Sequence, residues 1–96
     1  MGKIDNLSGI AFNSGMNFNK QNTFVCVSDN IVRMYLHGNL IAEKNLKTLQ
    51  TRVTCAGWNT RTTRNRLNGI GANICVKKGL LYSNCKQFSA NEWINI

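Results

Sequence analysis

Arg61, Arg64 and Arg66 lie close together among Thr60, Thr62 and Thr63, and a lysine pair, Lys77 and Lys78, follows them. Guanidinium and ammonium groups bind phosphate oxygens through charge-assisted hydrogen bonds, and threonine hydroxyls add neutral ones. Together they can position a polyanion backbone without reading its sequence. The groups needed to make or break bonds are sparse. His37 is the single imidazole and abuts Gly38, whereas a Cys-His or Ser-His pair needs a third group to orient the base. Asp5, Asp29, Glu43 and Glu92 are the whole acidic inventory and are far apart in sequence. Paired carboxylates for metal-assisted phosphoryl chemistry are therefore unsupported. The residues point to a non-enzymatic binding protein without a cofactor.

Cys26, Cys55, Cys75 and Cys85 lack the CxxC spacing by which one tight turn aims two sulfurs at one zinc ion. No metal site is expected. Cys26, Cys55 and Cys75 fall in apolar runs, where a thiol packs as a small hydrophobe. Cys85 lies in a polar stretch and is the one expected at the surface.

These side chains must be carried by a chain of 96 residues, which suffices for a single small basic domain. Its fifteen asparagines favour turns and caps over regular interiors, and it has no proline. Residues 1–22 are mixed and rich in Gly, Ser and Asn, so they read as loop-rich, with short strands near residues 10–12 and 16–18. The run Thr23-Phe24-Val25-Cys26-Val27 is β-branched and aromatic and ends at Ser28-Asp29-Asn30, a turn. Residues 31–37 complete a hairpin, and a turn at His37-Gly38-Asn39 leads into a third strand over 40–44. From residue 49 to 55, Leu49, Thr51, Val53 and Cys55 alternate with Gln50, Arg52 and Thr54, the pattern of a half-buried strand.

A short helix is expected over residues 62–68, two turns at most, with Asn59, Thr60 or Thr62 as N-cap and Gly69 or Gly71 as terminator. Around its axis Arg64 and Arg66 diverge by roughly 200°, so one surface need not receive both. Trp58 and Leu67 are expected to pack inward and clamp the helix onto the sheet. Residues 72–83 form a hairpin whose turn at Lys77-Lys78-Gly79 suits a bulged three-residue loop. A polar loop over 84–91 and a last strand near 92–96 follow. The predicted fold is α+β: an antiparallel β-sheet meander with one short helix packed on it and a C-terminal hairpin.

The formal charge is +8, which attracts phosphate backbones or acidic protein surfaces. Residues 44–86 hold nine basic side chains and no acidic one, so one side of the fold is expected to be electropositive. The opening Met-Gly-Lys-Ile-Asp lacks the apolar run of a secretion signal, and no stretch has the length of a membrane span. A cytoplasmic protein without membrane contact is expected.

The segments Tyr35-Leu36-His37-Gly38-Asn39-Leu40-Ile41-Ala42 and Val53-Thr54-Cys55-Ala56-Gly57-Trp58-Asn59-Thr60-Arg61-Thr62-Thr63-Arg64-Asn65-Arg66-Leu67-Asn68 resemble small, functionally uncharacterised proteins of tailed bacteriophages. The resemblance covers about a third of the chain and rests on an isoleucine-alanine step, a Gly-Trp pair and a Thr-Thr helix entry. It implies a phage protein in an infected bacterial host and brings no established chemistry. The first expectation is contact with the DNA or RNA backbone through Arg61, Arg64, Arg66, Lys77 and Lys78. The alternative is a phage-encoded inhibitor that applies the same cations to an acidic surface of a bacterial defence protein or nucleoprotein complex, an anti-CRISPR-like role. A structural homodimer is the third class.

Overall fold

A computed structural model of the protein describes residues 3–96. Met1 and Gly2, the first two residues of the stretch expected to be loop-rich, lie outside the described residues. The chain begins with a helix, α1 (Lys3–Ser14), followed by β1 (Phe18–Lys20), β2 (Thr23–Ser28), β3 (Ile31–Leu36), β4 (Asn39–Asn45) and β5 (Thr51–Val53). A second helix, α2 (Arg61–Ile70), leads to β6 (Ile74–Lys77), β7 (Leu80–Ser83), β8 (Lys86–Phe88) and β9 (Ile94–Asn95). The expected α+β class, the meander and the C-terminal hairpin are present. The expectation of a single helix and of strand structure near residues 10–12 is corrected by α1.

The missing signal in α1 is chemical, not geometric. Asp5, Ser8, Gly9 and Phe12 are buried at the i, i+3, i+4, i+7 spacing of one helical face. Three of those four are polar or have no side chain, so the face does not read as apolar. Leu7 and Ile10 instead point outward, Ile10 with 56% of its surface exposed. Gly9 packs directly on Gly69 of α2: a Cβ at Gly9 would collide with the Gly69 carbonyl, and one at Gly69 with the Asp5 carbonyl. Only hydrogen at both positions lets the two helix backbones come this close.

The strands form a six-stranded antiparallel sheet, ordered β1-β2-β3-β4-β5-β9, and a three-stranded sheet, β6-β7-β8. Both are built on one device. Five two-residue turns, at Gln21-Asn22, Asp29-Asn30, His37-Gly38, Lys78-Gly79 and Asn84-Cys85, join successive strands, and both residues of each turn have positive φ. That is the type I′ hairpin, whose twist matches the twist of the strands it joins. Asparagine and aspartate tolerate the left-handed region better than other side chains, which gives part of the asparagine excess a structural role. The Lys78-Gly79 turn has two residues where a bulged three-residue loop was expected. The Asn84-Cys85 turn creates β8 inside the stretch read as a polar loop.

Along β3, Val32, Met34 and Leu36 are buried and alternate with half-buried Ile31, Arg33 and Tyr35. A bulge in β4 sets Met34 opposite Ala42 and Tyr35 opposite Leu40, so Ile41 is the extra residue, and both Ile41 and Ala42 are buried. Phe12 of α1 and Leu67 and Ile70 of α2 join Val25, Val32, Met34, Ala42 and Val53 in one core. Ile74, Leu81 and Phe88 extend it into the small sheet. The alternation expected from residue 49 to 55 holds only across β5. Leu49 has φ 63° and is exposed, because Asn45 turns the chain there by accepting hydrogen bonds from the amides of Lys47 (2.9 Å) and Thr48 (3.2 Å).

Candidate nucleic-acid interface

Thr60 is the N-cap of α2. Its hydroxyl oxygen accepts from the Thr63 amide at 3.2 Å and lies 2.9 Å from the Thr63 hydroxyl, meeting one of the unpaired amides of a first helical turn. Gly71 ends the helix in the left-handed conformation, donating to the Asn68 carbonyl, while the Ala72 amide reaches the Leu67 carbonyl. Asn68 then ties the helix to β6, accepting from the Ile74 amide and donating to the Ile74 carbonyl. The helix therefore runs three residues beyond Leu67, past the two turns expected from sequence.

This frame separates the three arginines. Arg61, the first helical residue, is exposed. Arg64 is half-buried, and its Nη1 donates to the Asn59 side-chain oxygen at 2.5 Å and to the Asn59 carbonyl at 3.3 Å. Arg66 sits on the inward face with Thr63, Leu67 and Ile70 and is only 9% exposed. Its Nε donates to the Thr23 hydroxyl at 2.8 Å, and its Nη1 donates to the Asp5 carboxylate. Arg66 is thus removed from the contact set. The divergence of Arg64 and Arg66 expected from helical geometry is what places one outside and one inside.

Lys77 and Lys78 are exposed at the end of the β6-β7 hairpin. The loop before α2 and this hairpin tip share an open groove of about 490 Å³, lined in part by Asn59, Gly79, Leu80, Gln87 and Glu92. Asn59 holds Arg64 and Gly79 follows Lys78, while the one charged side chain in the lining itself is Glu92. The loop is pinned from behind. Ala90 accepts from the Gly57 amide at 2.9 Å and from the Thr54 hydroxyl at 3.4 Å. Glu92, the acid in the groove, accepts from the Ser89 amide at 3.0 Å.

Trp58 does not pack inward. Ala56 and Gly57 both have positive φ, and the Trp58 amide closes a turn onto the Cys55 carbonyl at 2.8 Å. That reversal leaves the indole 57% exposed. It flanks a second groove of about 400 Å³, whose lining includes Leu36, His37, Ile41, Cys55 and Thr62. Leu67 is buried as expected. Burial pushes the Cys55 thiol above its ordinary pKa, and the nearby Arg64 charge offsets this only in part, so Cys55 stays a protonated thiol at neutral pH. Cys75, expected to be buried, is exposed together with Cys85. Of β6 only Ile74 is buried: Cys75 and Lys77 take the opposite face, and Val76, although it shares the face of Ile74 and pairs with buried Leu81, is 38% exposed.

Two of the four acids are already engaged by arginine. Asp5 meets Arg66, and Glu43 accepts from Arg33 Nε at 3.0 Å and from Arg52 Nε at 2.9 Å across β3, β4 and β5. Arg52 also lies over the Trp93 ring, 4.6 Å from its centroid. Burial raises the Glu43 pKa, yet the hydrogen bonds from Arg52 and Arg33 and their charges outweigh it and hold the carboxyl below its ordinary value. Lys3, Lys20, Lys47, Arg52, Arg61, Lys77, Lys78 and Lys86 are exposed, against Asp29 and Glu92 among the acids. The surface is therefore strongly cationic.

A family model described as the Kyanoviridae Gp96 protein matches residues 1–96. The chain belongs to this family. It is a phage family, so the phage character that the two sequence segments implied holds over the whole chain. No curated protein and no solved structure matches the chain. Among the described residues, no helix of this Gp96-family protein is long and apolar enough to cross a membrane.

Proposed function

We propose that the protein binds the phosphate backbone of nucleic acid without catalysing a reaction, through Arg61, Arg64, Lys77 and Lys78. One observation supports this reading above the others: the open groove is lined by Asn59, which holds the Arg64 guanidinium, and by Gly79, which follows exposed Lys78 at the hairpin tip. A phosphate chain passing along such a groove meets positive charge from two elements at once. Its counterions are released to solution, which makes affinity fall steeply with salt. Thr62, exposed beside Arg61, adds a neutral donor. Fluorescence-anisotropy titrations with labelled DNA and RNA over a salt series test the reading. The expected result is a linear fall of log affinity with log salt and little sequence preference; no binding of either nucleic acid at low salt would falsify it.

A second reading is that the protein inhibits a bacterial defence protein by occupying an acidic surface. It is favoured by Val76 and Leu80, which are exposed next to Lys77 and Lys78. Exposed apolar side chains beside cations suit a protein partner better than a sugar-phosphate chain. Affinity capture from the bacterial host, using the tagged protein, separates the two. A stoichiometric protein that is retained after nuclease treatment and lost on Leu80→Asp supports inhibition.

A further inference from the structure

The exposed indole of Trp58 is unusual in a protein that has a core available to bury it. Beside it lies the groove of about 400 Å³, a volume in the range of small-ligand sites, roughly 300–1,000 Å³. Its apolar lining comes from Leu36, Ile41 and Cys55, and its polar margin from His37, Asn39 and Thr62. Arg61 is exposed between Thr60 and Thr62, both of which line the groove, although its own side chain is outside the lining. The site thus combines a flat aromatic surface, an apolar recess and an adjacent cation.

We propose that this groove receives an unpaired nucleobase stacked on Trp58, which makes the protein a binder of single strands in preference to duplex. The proposal rests on the phosphate-backbone reading and adds the state of the nucleic acid to it. A planar base is apolar on its faces and polar on its edges, which matches the recess and the His37, Asn39 and Thr62 margin. The phosphates on either side of that base carry the charge that Arg61 and Arg64 complement. Every base has a π-face, so stacking of this kind tolerates any sequence. A base held in a duplex reaches the indole only after unpairing and unstacking, which opposes binding. The open groove beyond Asn59 continues toward the hairpin tip that carries Lys77 and Lys78.

Anisotropy titrations of the full-length protein with a fluorescein-labelled oligothymidine and with a labelled DNA hairpin of equal phosphate count provide the test. The single strand is expected to bind more tightly. Trp58→Ala weakens single-strand binding by about 5- to 150-fold, the loss of one base stack, and leaves hairpin binding and the salt slope unchanged. Trp58→Phe keeps the preference, which separates stacking from a general effect on the fold. Quenching of Trp58 emission by oligothymidine in a Trp93→Phe background reports the stack directly. Equal affinity for the two probes, or a preference that survives Trp58→Ala, overturns the proposal and leaves the backbone reading standing. Failure of both probes to bind at low salt overturns both.

Discussion

The guanidinium of Arg66 on α2 donates to the carboxylate of Asp5 on α1, joining residues 61 positions apart at a buried site. The Thr23 hydroxyl of β2 accepts from the same guanidinium, so one side chain ties both helices to the sheet. Removing one partner strands the other charge in a low-dielectric site. Asp5→Ala is therefore expected to destabilise the fold by about 3–5 kcal/mol, read by urea denaturation. Replacing both, as Asp5→Leu with Arg66→Met, is expected to recover most of the loss, because no uncompensated charge remains.

The Gly9 and Gly69 contact sets a second expectation. In an exposed helix, Gly→Ala stabilises by about 1 kcal/mol through backbone entropy. Here the added methyl group meets backbone atoms of the facing helix, which cannot rotate away as a flexible side chain can. Overpacking of about 1–3 kcal/mol then exceeds the propensity gain. Gly9→Ala should lower the denaturation midpoint, and a rise would show that the helices separate freely.

Glu43 gives the protein a pH dependence of known sign. Its folded pKa is depressed, so its contribution to stability is fully present above the unfolded value, about 4.3. That contribution is lost as pH falls through the lower folded value. Glu43→Gln should therefore reduce stability at pH 7 and flatten the acid limb of the stability curve. Thermal melts between pH 7 and pH 3 measure both effects; parallel curves for the two proteins would contradict the assignment.

Three of the four cysteines should react in two classes, with half-buried Cys26 between them. Cys55 is buried with a raised pKa, whereas Cys75 and Cys85 are exposed. Alkylation needs thiolate and access. Brief iodoacetamide treatment of the native protein followed by peptide mass spectrometry is expected to label Cys75 and Cys85 and spare Cys55 until denaturant is added.

Among the cations, Arg61→Ala and Lys78→Ala are each expected to lower the salt slope of nucleic-acid binding by about 0.7–0.9, one released counterion apiece. Both side chains are exposed, so stability should move by less than about 0.5 kcal/mol. A slope that stays at the wild-type value in the double variant would place the contact elsewhere.

The strands of the meander were legible because Val, Ile, Met, Phe and Tyr alternate there with polar residues and turn residues mark the ends. The cap and terminator of α2 were legible for the same reason: Thr60 and Gly71 are residue types with a local job. α1 was not, since its inward face is made of Asp5, Ser8 and Gly9, whose burial depends on Arg66 and Gly69 far along the chain. Arg66 was misplaced for the complementary reason. Its positive charge is visible in the sequence, but its carboxylate partner is identified only by the crossing of the two helices. Trp58 failed through backbone conformation, because Ala56 in the left-handed region is not a preference that alanine advertises.

Two-residue turns close five of the seven strand pairings. Those five pairs join neighbours in the chain, so little loop-closure entropy opposes their meeting; β5 with β9 is the long-range exception, pairing Val53 with Ile94. The meander and the small sheet are both low in contact order and are expected to form early. Docking α1 against α2 spans most of the chain and needs Gly9 aligned on Gly69. The folding rate is thus expected to be set at the helix crossing, while the β-structure supplies a scaffold that is quick to assemble and quick to repair.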